Sequence, residues 1–464
     1  MAQSSSMKVI EESLVSPPSG FIPETPLSLT FFDIKWLSLP PVSSINFYSY
    51  PHETTHFMKT TLADIKHSLS ITLQPFYPLA GKLTWPLDST KPVIDCSEHN
   101  LSVTLAVVES NVDFNHLVGD HPRDVNDFYP LVPQLTSSDT TRFNFVPVMA
   151  VQVTVFPNAG ISIGTTTMHT VADGSTFGHF MRSWASVCKA GGDLSSLGPE
   201  SLPVIDRSLI KDPKNFDDIY LNALAGRNVS QKCFYTPKTP TVKIDMVRST
   251  FSLGRKHIEK IKSGVLAWFD AKENATTTPV QVSTFVATCA YLWVCLTKVL
   301  AANEDVDEKA IECFMFPVDY RERWNPPVAK TYFGNCVMPC FVDVKSKDLL
   351  GEHGVSIAAE AIRNAILKMH EVALIWAENL FTKMRSMPGR VFAISGSPKM
   401  ALYGTDFGWG APKKYEAVSI DNTGTMSLCE CPSGEGVVEI GIVLNKVQMD
   451  AFAFVFADTV SVLP

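Results

Sequence analysis

The chain has 464 residues, of which 45% are hydrophobic and 19% are charged, and its formal net charge is −8. This composition is that of a folded protein with room for two or three domains, and it excludes a disordered chain. The acidic balance, without a basic stripe, argues against nucleic-acid binding. The ten cysteines include no Cys-x-x-Cys pair, so we expect reduced, mostly buried thiols and no metal site.

The N-terminal residues, MAQSSSMKVIEE, carry charges and serines where a signal peptide needs an apolar core. The apolar stretch 280–302 resembles a membrane span, but it is interrupted by polar residues such as Thr288 and Lys298. We therefore expect a buried core helix at 280–302, no membrane partner, and a cytoplasmic protein.

Taken in chain order, the apolar patterns of the first half predict strands and helices in alternation. A strand-like run at 27–33 is followed by a helix that starts near Leu62 and ends before Pro75. Three further strands are predicted at 103–108, 148–156 and 161–168, and a helix at about 175–189. The last two strands are joined by a hairpin-type turn.

The middle of the chain, 191–243, contains Gly191-Gly192 and several prolines but few periodic runs, which predicts a crossover segment. A second region alternates predicted strands at 314–318 and 437–444 with a predicted helix at 356–385. The sequence therefore predicts an α/β fold with an N-terminal domain at 1–190, a crossover at 191–243 and a C-terminal domain at 244–464.

The pattern His-x-x-x-Asp occurs twice, and its surroundings separate the two copies. His116 and Asp120 lie in a polar, proline-bounded stretch that is typical of a surface loop. His169 and Asp173 lie where a predicted strand ends and a helix begins, a junction that can hold a side chain rigidly in a cleft. An imidazole there suits a general base. Asp173 either orients the imidazole or forms a structural ion pair, and the structural role is favoured.

Two other patterns could carry chemistry. Residues 160–164 read GISIG, a formal Gly-x-Ser-x-Gly, but Ser162 falls inside a predicted strand and not on the sharp turn that a serine hydrolase needs. Residues 406–410 read DFGWG, which predicts a rigid loop with an aromatic anchor. Asp406 is either catalytic or holds this loop by accepting hydrogen bonds, and the second role is favoured.

Together, the strings HTVADG at 169–174 and DFGWG at 406–410 resemble the two signature motifs of the plant BAHD acyltransferases. YFGNC at 332–336, LTFFD at 29–33 and FYPLAG at 76–81 look like the branch that acts on anthocyanins, flavonoids and other phenolic glycosides. The resemblance implies two chloramphenicol-acetyltransferase-like domains with a solvent channel between them. We also expect a monomer.

By this resemblance, His169 removes the proton from a sugar hydroxyl that attacks the thioester of an acyl-CoA co-substrate, with no acyl-enzyme, bound cofactor or metal. Asp173 is expected to point away and pair with an arginine, for which Arg321 is the candidate. Asp406 is expected to be structural. Ser395 and Ser397 are candidate oxyanion donors, although a solvated turn explains them equally well.

Two residues of the predicted helix at about 175–189 favour different acyl donors. Phe177 would stack on a hydroxycinnamoyl group such as p-coumaroyl, whereas His179 would serve the carboxylate of a malonyl group or lie on the helix surface. Hydroxycinnamoyl is slightly favoured, and a malonyl-CoA-specific phenolic glucoside malonyltransferase is the alternative. A serine hydrolase and a non-catalytic binding protein are the alternatives from other classes. The candidate contacts for coenzyme A are Arg255, Lys256, Ser283 and Thr284.

Overall fold

The computed structural model of the chain describes residues 7–21, 26–135, 145–226, 229, 241–272, 281–302, 309–387, 390–432, 434 and 436–462. Within these ranges the strands, numbered in chain order, are β1 (Met7–Val15), β2 (Leu27–Ser28), β3 (Val42–Ser49), β4 (Lys82–Thr84), β5 (Val93–Asp95), β6 (Val103–Ser110), β7 (Arg123–Asp124), β8 (Phe145–Pro147), β9 (Met149–Phe156), β10 (Gly160–Thr167), β11 (Met246–Leu253), β12 (Ile311–Asp319), β13 (Val337–Lys345), β14 (Arg390–Gly396), β15 (Lys414–Ala417), β16 (Thr425–Glu430) and β17 (Val438–Asn445).

The helices of the same ranges are α1 (Phe31–Ile34), α2 (Thr54–His56), α3 (Leu62–Leu73), α4 (Phe114–Val118), α5 (Gly174–Lys189), α6 (Phe216–Ala225), α7 (Arg255–Lys272), α8 (Thr284–Ala301), α9 (Ser346–Leu350), α10 (Gly354–Arg385), α11 (Ile420–Thr423) and α12 (Lys446–Val462). A π-helical turn, Phe57–Thr61, joins α2 to α3.

Two large mixed sheets organise the fold. The first has the order β1-β6-β9-β10-β3-β15, in which only β6 and β9 run parallel. The second has the order β13-β12-β14-β16-β17-β11-β7 and contains the parallel pairs β12–β14 and β14–β16. A small third sheet has the order β2-β5-β4-β8.

Each large sheet is completed by a strand from the other half of the chain. β15 comes from the C-terminal half and pairs with β3 at the edge of the first sheet. β7 comes from the N-terminal half and pairs with β11 at the edge of the second sheet. The two halves are therefore interlocked by backbone hydrogen bonds in both directions.

The element that leads to the site is a fully buried hairpin. Every residue of β9 and β10 is buried, so the hairpin is covered on both faces. α5 then packs the buried side chains Phe180, Met181 and Trp184 towards the same core as α3. These elements confirm the strands predicted at 148–156 and 161–168 and the helix predicted at 175–189.

Most of the predicted core helix forms α8, which packs against α10 and α12, and Val280 lies outside the described residues. This helix is long and apolar enough to cross a membrane by length and composition alone, but 72% of it is buried inside the protein. The Trp293 ring, for example, stacks on Phe314 of β12 with ring centroids 5.2 Å apart. The prediction of a core helix is confirmed.

The strand predicted at 27–33 is wrong beyond Ser28. The Asp33 carboxylate accepts hydrogen bonds from the Thr30 backbone N–H at 2.9 Å and from the Thr30 hydroxyl at 2.8 Å. These bonds hold the start of α1, so the chain turns into a short helix where the run of phenylalanines favoured a strand. α1 places Asp33 and the residues that follow it beside the second half of the chain.

Candidate active site

His169 lies in the short turn between β10 and α5. Asp173 is the N-terminal cap of α5, and its carboxylate accepts a hydrogen bond from the Thr176 N–H at 2.9 Å. Gly174 allows the turn to pass close to the loop after β14, because a Cβ at this position would overlap the Met400 side chain. These contacts fix the end of the turn at which α5 begins.

His169 is half-buried, and two neighbours hold its imidazole. The Trp36 ring stacks on it, with ring centroids 3.9 Å apart and planes 15° from parallel. On its edge, Nδ1 lies 3.2 Å from Oδ1 of Asn335. Asn335 belongs to the YFGNC loop (Tyr332–Cys336), so residues from both halves of the chain contact the ring.

The surroundings keep this imidazole neutral at physiological pH. Burial lowers the pKa of His169 below its ordinary value of 6.5, and the nearby Lys35 lowers it further, against the raising effects of a backbone hydrogen bond, Asp173 and Asn335. Lys35 is itself buried, which lowers its pKa to about 7. A neutral ring has the protonation state that a general base requires.

Asp173 is joined to Arg321 by two hydrogen bonds of 2.9 and 3.0 Å, and both side chains are almost completely buried. Burial alone would raise the pKa of Asp173, but the Arg321 guanidinium and the N–H groups of Thr176 and Cys336 outweigh it, and the pKa lies below its ordinary value. The structure thus places Arg321 against Asp173, which is the pairing that the family resemblance predicted.

The YFGNC loop lies between this ion pair and the imidazole. Arg321 donates to the Tyr332 and Gly334 carbonyls, and the Cys336 N–H donates to Asp173 at 3.0 Å. One residue away, Asn335 donates from its backbone and its side chain to Oδ1 of Asp33. The loop is therefore anchored on both sides of Asn335.

Asp406 takes part in a separate structure. Its Oδ1 accepts hydrogen bonds from the Gly408 and Gly410 N–H groups, and its Oδ2 lies 2.7 Å from Lys189 Nζ. The two glycines have φ values of +107° and +95°, which favour glycine. The Asp406 carboxylate therefore folds the DFGWG loop, and its described contacts do not include the imidazole.

The described hydrogen bonds and ring contacts of the remaining predicted site residues do not include the imidazole. Ser395 is exposed at the end of β14, and the Ser397 hydroxyl accepts from the Lys399 N–H. The Ser283 hydroxyl caps α8 by accepting from the Val286 N–H. The other candidate contacts for coenzyme A are two exposed cations and one half-buried hydroxyl, namely Arg255, Lys256 and Thr284.

The acyl-group candidates both lie on α5. Phe177 is half-buried, with its ring centroid 6.0 Å from that of Phe180. His179 is held by a 2.7 Å hydrogen bond between Nε2 and the Ser201 carbonyl. Burial lowers the pKa of His179, so this ring is neutral and offers little to a carboxylate. Ser162 is fully buried inside β10, where no substrate can reach it.

The fold is that of acyltransferases with two chloramphenicol-acetyltransferase-like domains. Vinorine synthase, a solved structure, has this fold: it superposes with a TM-score of 0.68 at 19% sequence identity, covering 96% of both chains. Residues 6–458 match the model of the Transferase family. The chain belongs to this family, the BAHD acyltransferases.

Two curated relatives span nearly the whole chain. Malonyl-coenzyme A:anthocyanin 3-O-glucoside-6''-O-malonyltransferase of Dahlia pinnata is 40% identical over 462 residues, covering 97% of both chains. Coumaroyl-CoA:anthocyanidin 3-O-glucoside-6''-O-coumaroyltransferase 1 of Arabidopsis thaliana is also 40% identical, over 463 residues and 96% of both chains. The chain is an acyltransferase, as predicted.

Sequence reasoning missed three residues around the imidazole. Asp33 and Asn335 occur in strings that were matched to the family branch, but no role was assigned to them. Trp36 follows LTFFD by three residues and carried no signal of its own. Trp36 and Asn335 contact His169 across more than 130 residues of the chain, and Asp33 acts on it only through Asn335. No local pattern can indicate such contacts.

Proposed function

We propose that this enzyme transfers an acyl group from coenzyme A to a sugar hydroxyl of an anthocyanin, flavonoid or other phenolic glucoside, with His169 as the general base. The relatives named above act on anthocyanin or anthocyanidin glucosides, which supports this acceptor class. The observation that carries the mechanism is an imidazole held by both halves of the chain, and burial lowers the pKa of this imidazole below its ordinary value.

In the proposed step, the imidazole takes the hydroxyl proton while the oxygen attacks the thioester carbonyl, and the resulting imidazolium returns the proton to the departing thiolate. No acyl-enzyme forms. General-base catalysis of this kind contributes about 10²–10⁴ in rate. The buried Asp173–Arg321 pair supports this base indirectly, because it fixes the turn and the YFGNC loop.

For the donor, we propose a hydroxycinnamoyl group such as p-coumaroyl in preference to malonyl. Phe177 offers an aromatic face on α5, and the neutral, hydrogen-bonded His179 is poorly suited to a malonyl carboxylate. The two relatives at 40% identity differ in donor, so overall identity does not decide between the two groups.

The test of the base is the pair of variants His169→Ala and His116→Ala. Both residues belong to a His-x-x-x-Asp sequence, but His116 lies in the short helix α4, where its ring is hydrogen-bonded to His121. The loop predicted around His116 is therefore wrong at this residue, because Asp113 caps a helical turn there. We expect His169→Ala to lower acyl-CoA consumption with a glucoside acceptor by about 10² or more, and His116→Ala to match the wild type. Full activity in a folded His169→Ala variant would overturn the proposal.

The donor is tested by crossing malonyl-CoA and p-coumaroyl-CoA with flavonoid and simple phenolic glucosides and weighing the products by mass spectrometry. We expect p-coumaroyl esters from the wild type. In Phe177→Arg, which adds a cation on the same face of α5, we expect the ratio of the two products to shift towards malonyl. Malonyl esters alone from the wild type would contradict the preference.

A further inference from the structure

The side-chain amide of Asn335 has a fixed orientation. Its nitrogen, Nδ2, donates to Oδ1 of Asp33 at 2.9 Å and to the backbone carbonyl of His169 at 2.8 Å. A carboxylate and a carbonyl only accept hydrogen bonds, so the NH₂ group must face them and the amide oxygen must face the other way. Asn335 is fully buried, so water cannot replace these two acceptors and allow the amide to turn over.

The orientation of Asp33 is fixed in turn. Its second oxygen, Oδ2, accepts two hydrogen bonds from Thr30 and lies 3.4 Å from Nη1 of the buried Arg207. Asp33 is completely buried. The carboxylate that selects the amide orientation is therefore held on both of its oxygens.

The amide oxygen of Asn335 lies 3.2 Å from Nδ1 of His169. Because this oxygen only accepts, Nδ1 must carry the ring hydrogen, and in a neutral imidazole Nε2 is then the unprotonated nitrogen. Trp36 covers the face of the ring and not its edge, so the stacking leaves the lone pair of Nε2, which lies in the ring plane, uncovered.

We propose that Asn335, set by Asp33, is the positioning residue that keeps His169 in the Nδ1–H tautomer and so makes Nε2 the atom that accepts the substrate proton. This inference rests on the proposed role of His169 as the base. When the sugar hydroxyl gives its proton to Nε2, the ring becomes an imidazolium and Nδ1–H still donates to Asn335. When Nε2–H then protonates the sulfur of coenzyme A, the starting tautomer returns.

The direct measurement is nitrogen NMR of ring-labelled histidine in the full-length enzyme, above the pKa of His169. The His169 signals are identified as those missing from His169→Ala. In the wild type we expect a protonated Nδ1 and an unprotonated Nε2. In Asn335→Ala, which removes the acceptor next to Nδ1, we expect the proton to move towards Nε2, the nitrogen that free histidine protonates preferentially.

The matched control is Gln152→Ala, because Gln152 is also a buried amide that donates to a carbonyl, that of Pro130, at 2.8 Å. We expect Asn335→Ala to lower kcat about 10- to 100-fold, as loss of an orienting partner does elsewhere, with little change in the KM for acyl-CoA. We expect Gln152→Ala to keep the wild-type tautomer and kcat.

The outcomes separate the two proposals. A wild-type enzyme with its proton on Nε2, or an Asn335→Ala variant with its proton still on Nδ1 and an unchanged kcat, overturns the role of Asn335 whatever His169 does. Full activity of His169→Ala overturns the proposed base instead. The wild-type spectrum decides the tautomer even where a variant fails to fold.

Discussion

At the scale of single residues, the burial of the His169 ring sets the pH at which the proposed base works. Protonated imidazole cannot accept a proton, so activity must fall as the pH drops through the pKa of the folded enzyme. Burial lowers that pKa below 6.5. We therefore expect kcat/KM for the acceptor to lose half its value at a pH below 6.5.

This prediction is checked by a pH–rate profile with saturating acyl-CoA, together with circular dichroism over the same pH range to separate titration from unfolding. A midpoint above 6.5 in a folded enzyme would mean that the charges around the ring, and not its burial, dominate its basicity.

The ion pair behind the imidazole makes a prediction about stability. Asp173→Asn leaves the Arg321 guanidinium buried without its counter-ion, and breaking such a pair costs about 3–5 kcal/mol. We expect a comparable loss for Arg321→Met. Because both variants remove one interaction, the double variant should lose clearly less than the sum. Denaturant unfolding of the four proteins measures this, and additive losses would contradict it.

The residues around the imidazole also indicate what the sequence could predict. His169 stood out because a strand and a helix flank it, and both are visible as local apolar patterns. The pairing of Asp173 with Arg321 was expected from the family resemblance alone. Asn335 lies 166 residues from His169 in the chain, and its amide acts only after the two halves have packed.

At the scale of elements, the DFGWG loop depends on one carboxylate. Asp406→Ala removes the acceptor for the Gly408 and Gly410 N–H groups, and we expect it to destabilise the protein by about 1–2 kcal/mol. Lys189→Ala removes only an exposed ion pair and should cost less than about 1 kcal/mol. Thermal unfolding compares the two, and equal losses would mean that the ion pair holds the loop.

The sequence predicted helices and strands well where the apolar residues follow a single periodicity. The β9–β10 hairpin and α5 were predicted within a few residues, because β-branched alternation and helical spacing are unambiguous there. α1 was missed because its phenylalanines favour a strand on composition. The sequence Thr30-x-x-Asp33 indicates the start of a helix, and the capping hydrogen bonds between these two residues favour the helix over the strand.

At the scale of the whole molecule, a buried charge cluster joins the two sheets. Glu416 of β15 lies 2.7 Å from Arg123 of β7 and 3.3 Å from Arg248 of β11, and all three side chains are almost fully buried. The pKa of Glu416 is raised by burial but lowered more by the two arginines, so its net direction is downward. The carboxylate is therefore charged at neutral pH.

We expect Glu416→Gln to cost about 3–5 kcal/mol, since it leaves two guanidiniums buried without a counter-charge. Lys214→Ala, which breaks an exposed pair with Glu378, is the control and should cost less than about 1 kcal/mol. Denaturant unfolding, followed by fluorescence and by circular dichroism, measures both. A loss in Glu416→Gln no larger than in the control would show that the cluster does not hold the sheets together.

The exchange of strands between the halves has a consequence for synthesis on the ribosome. When the N-terminal half has emerged, the outer edge of β3 has no neighbour until residue 414 has been translated, and an unpaired edge is open to other chains. The nascent enzyme must therefore pass through a long interval in which this edge needs protection, and conditions that slow translation of the second half should favour aggregation over native assembly.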